Sequence, residues 1–203
     1  MVDEDIMSKR KEIKKYNKML RKYQTKREFV KIARTVTKGE ANIYGVILEL
    51  SDNFMHLAEN DEFKFNGEVI IRMDHFDSIR CNKFDKTFRK ILAAEKQLSK
   101  SKPKRTQVDL TDWASIFTDL QKSDVHVTIE CEDLKKPTFT IGPIEKINKK
   151  SVDIRNYDAT GQLDKKVTRT NFKNITLLKY NEEYSTTFRK YLKQPKRSKK
   201  NGS

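Results

Sequence analysis

The sequence predicts an α+β, mainly β protein. It would consist of two tandem five-stranded barrels of small, strongly bent antiparallel sheet, each flanked by helices, behind a basic N-terminal helix. Three observations lead there. From Tyr44 to Arg80, short apolar alternations are separated by tight turns, the pattern of a curled meander. The second half then repeats the layout. Gly142 answers Gly45 at an offset of 97, Phe172 and Ile175 answer Phe76 and Ile79 at 96, and Thr87-Phe88-Arg89-Lys90 recurs as Thr187-Phe188-Arg189-Lys190. Self-similarity of this kind marks a duplicated unit. Finally, 35% hydrophobic and 36% charged residues are lean for one large core and suit two small ones.

Residues 4–27 read as a helix because Ile6, Ile13, Tyr16, Leu20 and Tyr23 make one narrow apolar stripe among Lys and Arg. Strands are expected at 29–36, 42–51, 53–60, 66–73 and 76–81, with Ser51-Asp52-Asn53 as a turn and Gly45 at a sharp bend or close backbone approach. Asn82, with Asp85 three residues on, opens a closing helix bearing Phe84, Phe88, Ile91 and Leu92. The basic stretch around Pro103 is an interdomain linker. A second helix begins near Asp109 or Thr111 and buries Trp113, Ile116, Phe117 and Leu120, with the lone Trp as a core anchor. Strands follow at 125–131, 138–148, 150–157, 163–170 and 174–180, with a hairpin turn at Asp158-Ala-Thr-Gly161 and a closing helix over 181–192. The expected organisation is 1–98 for the first barrel and its helices, 99–108 for the linker, 109–192 for the second unit and 193–203 for a basic disordered tail.

The net charge of +15 is unevenly placed. Lys9 to Arg34 carries 12 Lys/Arg against Glu12 and Glu28, giving +10; residues 100–105 add +4 and 193–203 add +5, so the remainder is −4. The barrels are thus mildly acidic, and the cations belong to a helix, a linker and a tail. No apolar run approaches the ~20 residues of a membrane span, and the start, MVDEDIMSKRK, has no apolar signal core. The expectation is a cytoplasmic protein with no membrane partner. Cys81 and Cys131, far apart and each at a strand end, read as reduced small apolar residues.

Gly45, Asp52, Met55 and Leu57 fall where the first Sm-like motif places its glycine, turn aspartate, methionine and following apolar residue. Ile71-Arg72, then Phe76 and Ile79, have the spacing of the second motif. Residues 29–81 therefore resemble the Sm-like small barrels. His56 stands where RNA-binding members carry asparagine, and Met73 replaces the glycine after the arginine. The stretch is also similar to bacterial proteins of unassigned function that share the pattern LSD-x-F-x-x-L, DEF, G-x-V-I-x-R, a likeness that brings no activity. The Sm-like resemblance implies that Asp52, His56 and Arg72 lie at loops around a nucleobase, Arg72 stacking its guanidinium on the base. The alternative is a surface pair of Arg72 with an acid such as Asp74. In the second half the turn is Asn148-Lys149-Lys150, His56 is replaced by Asp153 and Arg72 by Thr168 beside Arg169.

Catalysis finds no support. His56, His75 and His126 are scattered without metal-ligand spacing, and no phosphate loop, nucleophile elbow or paired-carboxylate motif occurs. The expectation is a non-enzyme with no cofactor and no metal. Two functions remain. One is an RNA- or other nucleic-acid-binding protein whose phosphate contacts come from Lys14, Lys15, Lys18, Arg21, Lys22, Lys196 and Arg197, with the Asp52, His56 and Arg72 edge meeting bases. The other is a protein-interaction adaptor using exposed strand edges, which would also allow self-association. Paired edges inside one tandem chain would make it a pseudo-dimer.

Overall fold

The computed structural model describes residues 16–36, 39–101 and 107–193. The beginning of the basic helix with Lys14 and Lys15, the stretch around Pro103, and the tail with Lys196 and Arg197 lie outside the described residues. Helix α1 is described over 16–26; Leu20 is fully buried on it, with Tyr16 and Tyr23 against the same core. The first half continues as β1 (Phe29–Val36), β2 (Gly39–Leu50), β3 (Phe54–Asp61), β4 (Lys64–Arg72), β5 (Phe76–Arg80) and α2 (Lys83–Ala94). The second half is α3 (Trp113–Lys122), β6 (His126–Cys131), β7 (Thr138–Ile147), β8 (Ser151–Ile154), β9 (Thr168–Asn171), β10 (Leu177–Tyr180) and α4 (Glu183–Phe188). A strand is found at each expected place, but the one expected over 163–170 is confined to Thr168–Asn171, with only an isolated bridge from Leu163 to Tyr157 before it. Helix α3 starts later than expected, because Asp109 is spent on a local turn to Thr111 and Asp112 takes the capping role by accepting from Ser115 N–H.

The expectation of two separate barrels is corrected. The strands form one ten-stranded antiparallel open sheet in the order β5-β1-β2-β3-β4-β10-β6-β7-β8-β9, and no barrel closes among the described residues. The outer strand of each half finds the other half. β4 pairs with β10 from Ile71↔Leu177 to Glu68↔Tyr180, so two backbone edges that would otherwise be exposed satisfy one another. The strands left at the ends, β5 and β9, are short and carry polar residues. Hydrophobic packing follows the same seam. Phe54 and Ile70 of the first half belong to the core of the second, and Leu177 belongs to that of the first. Trp113 is the core anchor expected of it, meeting Phe54 edge-on at 4.8 Å.

The duplication runs deeper than the matched residues. Both halves have the same strand order, and the β2–β3 ladder slips between Ile47 and Glu49 just as β7–β8 slips between Ile144 and Lys146. The register also corrects two matches. Short 3₁₀ turns at Met73–His75 and Phe172–Asn174 precede the last strand of each half, closed by Phe76 N–H and Ile175 N–H. Phe76 therefore corresponds to Ile175. Phe54 pairs with Arg72, and at an offset of 97 Ser151 pairs with Asn171, so Asn171 and not Thr168 or Arg169 is the counterpart of Arg72.

The repeated Thr-Phe-Arg-Lys segment has a structural job. Arg89 donates from Nε to the Arg27 carbonyl at 3.0 Å and from Nη2 to that of Lys26 at 3.4 Å. Arg189 likewise donates to the Asp124 carbonyl and pairs with its carboxylate. Arg27 and Asp124, with φ of 49° and 51°, sit in the left-handed conformation just past the preceding helix. The arginine thus ties each closing helix to the end of the opening one. Phe88 packs on Phe29 and Phe63, and Phe188 on Tyr157 and Tyr184.

Asn82 caps α2 as expected, accepting from Phe84 and Asp85 N–H while the Asp85 carboxylate accepts from Asn82 N–H. Replacing Asn82 with Ala should cost about 1 kcal/mol in urea unfolding; an unchanged midpoint would show that the Arg80–Asp85 pair holds the helix start unaided. Among the described residues no helix is long and apolar enough to cross a membrane. Cys81 and Cys131 are both free thiols, the first half-buried and the second buried.

Candidate nucleic-acid interface

The three residues taken for a base-reading edge lie near one another but do not form an open edge. Asp52 is exposed at the tip of the β2–β3 turn, which Ser51 organises by accepting from Asn53 and Phe54 N–H. Arg72 is half-buried, its guanidinium paired with Asp74 and donating to the Lys173 carbonyl at 3.2 Å. That pairing is the surface alternative weighed for it, with a strap to the second half added. His56 is buried. Phe54, His56, Ile70 and Arg72 share one face of the β3–β4 ladder, and the second half covers most of that face. A base could reach Asp52 there but not His56.

Burial gives His56 a different role. Its Nε2 lies 2.9 Å from Glu68 Oε2 and 2.8 Å from the Tyr180 hydroxyl. Tyr180 donates to the same carboxylate oxygen at 3.0 Å, and Asn181 Nδ2 donates to the other at 3.2 Å. The cluster spans β3, β4 and β10, so it is a polar lock on the seam. Burial pushes the Glu68 carboxyl up, but His56, by hydrogen bond and charge, and then Asn181 and Tyr180 outweigh it and hold the group below the usual glutamate range. Burial, then the Glu68 charge, drives the Tyr180 phenol well above its usual value. Sequence reasoning missed Glu68 and Tyr180. The available signal was Val69-Ile70-Ile71 and Leu177-Leu178, apolar runs that mark strands covered on both faces.

A second cross-half cluster lies near the β4–β5 turn. Arg34 forks onto Glu132 at 2.8 and 3.2 Å, and Thr176 donates to Glu132 Oε2 at 2.7 Å. His75 Nε2 is 3.9 Å from Asp74 and 3.7 Å from Asp133. Burial lowers the His75 pKa; Asp74 raises it and Arg72 lowers it again. His126, in the other half, is lowered to about 4 by burial and then by the Arg189 charge, opposed by Asp124. Among the described residues no three His, Cys, Asp or Glu side chains are grouped to hold a metal ion.

The sequence-designated cations that are described fare differently. Lys18, Arg21 and Lys22 are exposed on α1, as is Lys26, while Leu20 turns into the core. The Arg89 bonds bring the end of α1 against α2, whose Lys83, Lys86 and Lys90 are exposed. The acidic residue of α2, Asp85, is buried and engaged by Arg80 at 2.8 and 3.0 Å. Every exposed charge on α1 over 16–26 and on α2 is therefore positive. Sequence reasoning gave none of the α2 cations a binding role, having assigned a role only to the apolar residues of that helix. No family model, curated protein or solved structure matches this chain.

Proposed function

We propose that this is a non-enzymatic nucleic-acid-binding protein, RNA-associated, built of two Sm-like units fused through their outer strands. The joined α1–α2 face is its phosphate-binding surface. The observation that carries this reading is the one-sign face itself. Two helices, fastened end to side by Arg89, present exposed lysines and an arginine with no exposed acid among them. A polyanion gains from each neutralised phosphate by releasing counterions, so affinity should fall steeply with salt. The shared strand order of the halves supports the duplicated-unit part of the reading, and the end strands β5 and β9 are the edges through which copies would associate.

The test is retention on single-stranded RNA across a salt series. Wild type should show a linear fall of log affinity with log salt. Replacing Lys22, Lys26, Lys83 and Lys86 with Gln should reduce the slope by up to ~0.7 per lost contact. An unchanged slope would make these cations solvated surface. The second reading, a protein-binding adaptor, is favoured by the exposure of Tyr184 and Tyr191 at the closing turns of the second half. It would gain if wild type showed no salt-dependent retention at all.

A further inference from the structure

Within the basic face lies an aromatic ridge that phosphate binding alone does not use. Phe84 is 65% exposed and Phe63, at the tip of the β3–β4 hairpin, is 54% exposed. They are connected through Phe88, one helical turn from Phe84, whose ring stacks on Phe63 at 5.0 Å and 19° and is backed by Phe29 at 4.8 Å. The hairpin is fixed from its other side, since Lys64 pairs with Glu183 at 2.8 Å and Asn66 accepts from Glu183 N–H at 2.8 Å. Phe63 is thus held by its stacking on Phe88 while Phe84, one helical turn away, stands open to water. Exposed phenylalanines leave apolar area in water that a partner would cover, and two of them beside exposed lysines call for a partner with both flat apolar faces and negative charge. Lys83 already sits 5.2 Å from the Phe84 centroid, and Lys86 and Lys90 are exposed further round the same helix. Asp61 and Glu62 bound the field at the hairpin, which places the phosphate path along α2.

Resting on the nucleic-acid reading above, we infer that the Phe84–Phe88–Phe63 ridge is a stacking site for unpaired bases of a single strand, with Lys83 beside Phe84 taking the adjoining phosphate and Lys86 and Lys90, further round α2, adding to the field the strand enters. Base–aromatic stacking tolerates any sequence, because every base has a flat face, and it excludes a duplex, whose bases are already stacked. The second half supplies an internal comparison. Tyr184 and Tyr191 are exposed there, but α4 opens with Glu183 and its Arg189 is held by Asp124. The ridge of the first half therefore has the charge to hold a strand and that of the second has less.

The experiment uses the full chain, a labelled twelve-residue uridine RNA and a duplex of equal length, read by anisotropy. F84A and the double variant F63A/F84A should weaken single-strand binding by about tenfold or more while leaving the salt slope and duplex binding unchanged, and Y184A should change little. F84W provides a direct signal, since the native Trp113 is buried and the added indole should be quenched on stacking. Wild-type binding with F63A/F84A within twofold and F84W unquenched would overturn the ridge and leave the nucleic-acid reading standing. Equal losses for single strand and duplex would also overturn it. No binding of either RNA at low salt would overturn both. Thermal midpoints matching wild type would show that any loss is not one of folding.

Discussion

Glu68→Ala should lower the unfolding free energy by about 3–5 kcal/mol, the usual result of removing one member of a buried charged and hydrogen-bonded group. The residue is 4% exposed, and its carboxylate accepts from Tyr180 and Asn181 while sitting 2.9 Å from His56 Nε2. Truncation strands all three partners at the seam that joins the two halves of the sheet. Glu68→Gln should cost less, because an amide can keep part of the network. The pH dependence has a defined sign. The native carboxyl is held below its ordinary value, so the group binds its proton more readily in the unfolded chain than in the folded one. Its stabilisation is complete above the unfolded glutamate pKa of about 4.3 and is lost as pH falls through the lower native value. Urea unfolding of wild type and Glu68→Gln from neutral to acid pH should show their difference shrinking only below that range. A loss under ~1 kcal/mol for the alanine variant would mean that the seam does not depend on this cluster.

How much of this was legible in the chain follows from where each signal resides. Strand positions were readable because alternation and turn residues are local, and the capping box at Asn82 and Asp85 is local too. The duplication was readable from Thr-Phe-Arg-Lys, although its meaning required seeing Arg89 on the carbonyls of α1 and Arg189 on Asp124. The joining of the halves was not readable in its geometry. A strand pattern says which faces are apolar but not which backbone edge meets which, so β4–β10 pairing could only be surmised. His56 shows the consequence. Read within its own half, it stands on the strand at 53–60 close to a turn; with Tyr180 and α3 in place, its face is interior. The aromatic ridge escaped for the opposite reason. Phe84 and Phe88 have core spacing on a helix, and only the structure shows Phe84 left outside while Phe88 packs.

Gly45→Ala and Gly142→Ala should each destabilise the protein by about 3 kcal/mol or more, at the upper end of what overpacking costs. A methyl on Gly45 would lie 2.0 Å from the Ala58 carbonyl oxygen, and one on Gly142 would lie 2.1 Å from that of Arg155. Both obstacles are backbone atoms, Ala58 in β3 and Arg155 just past β8, so no side-chain rotation relieves them. Each glycine sits opposite the matching residue of the strand before it, Val30 for Gly45 and Val127 for Gly142, at the bend where the long second strand folds over. Chain entropy argues the other way, since Gly→Ala at an unstrained position stabilises by about 0.4–1 kcal/mol through the unfolded state. The two effects have opposite signs, which makes the outcome decisive. Steric exclusion should win at both sites, and by more at Gly142, whose φ of 157° is in addition a conformation that L side chains rarely adopt. Equilibrium unfolding of the two variants checks it. A gain at either site would mean that the facing carbonyl can turn aside, and the close approach would then be incidental to the bend and not its cause.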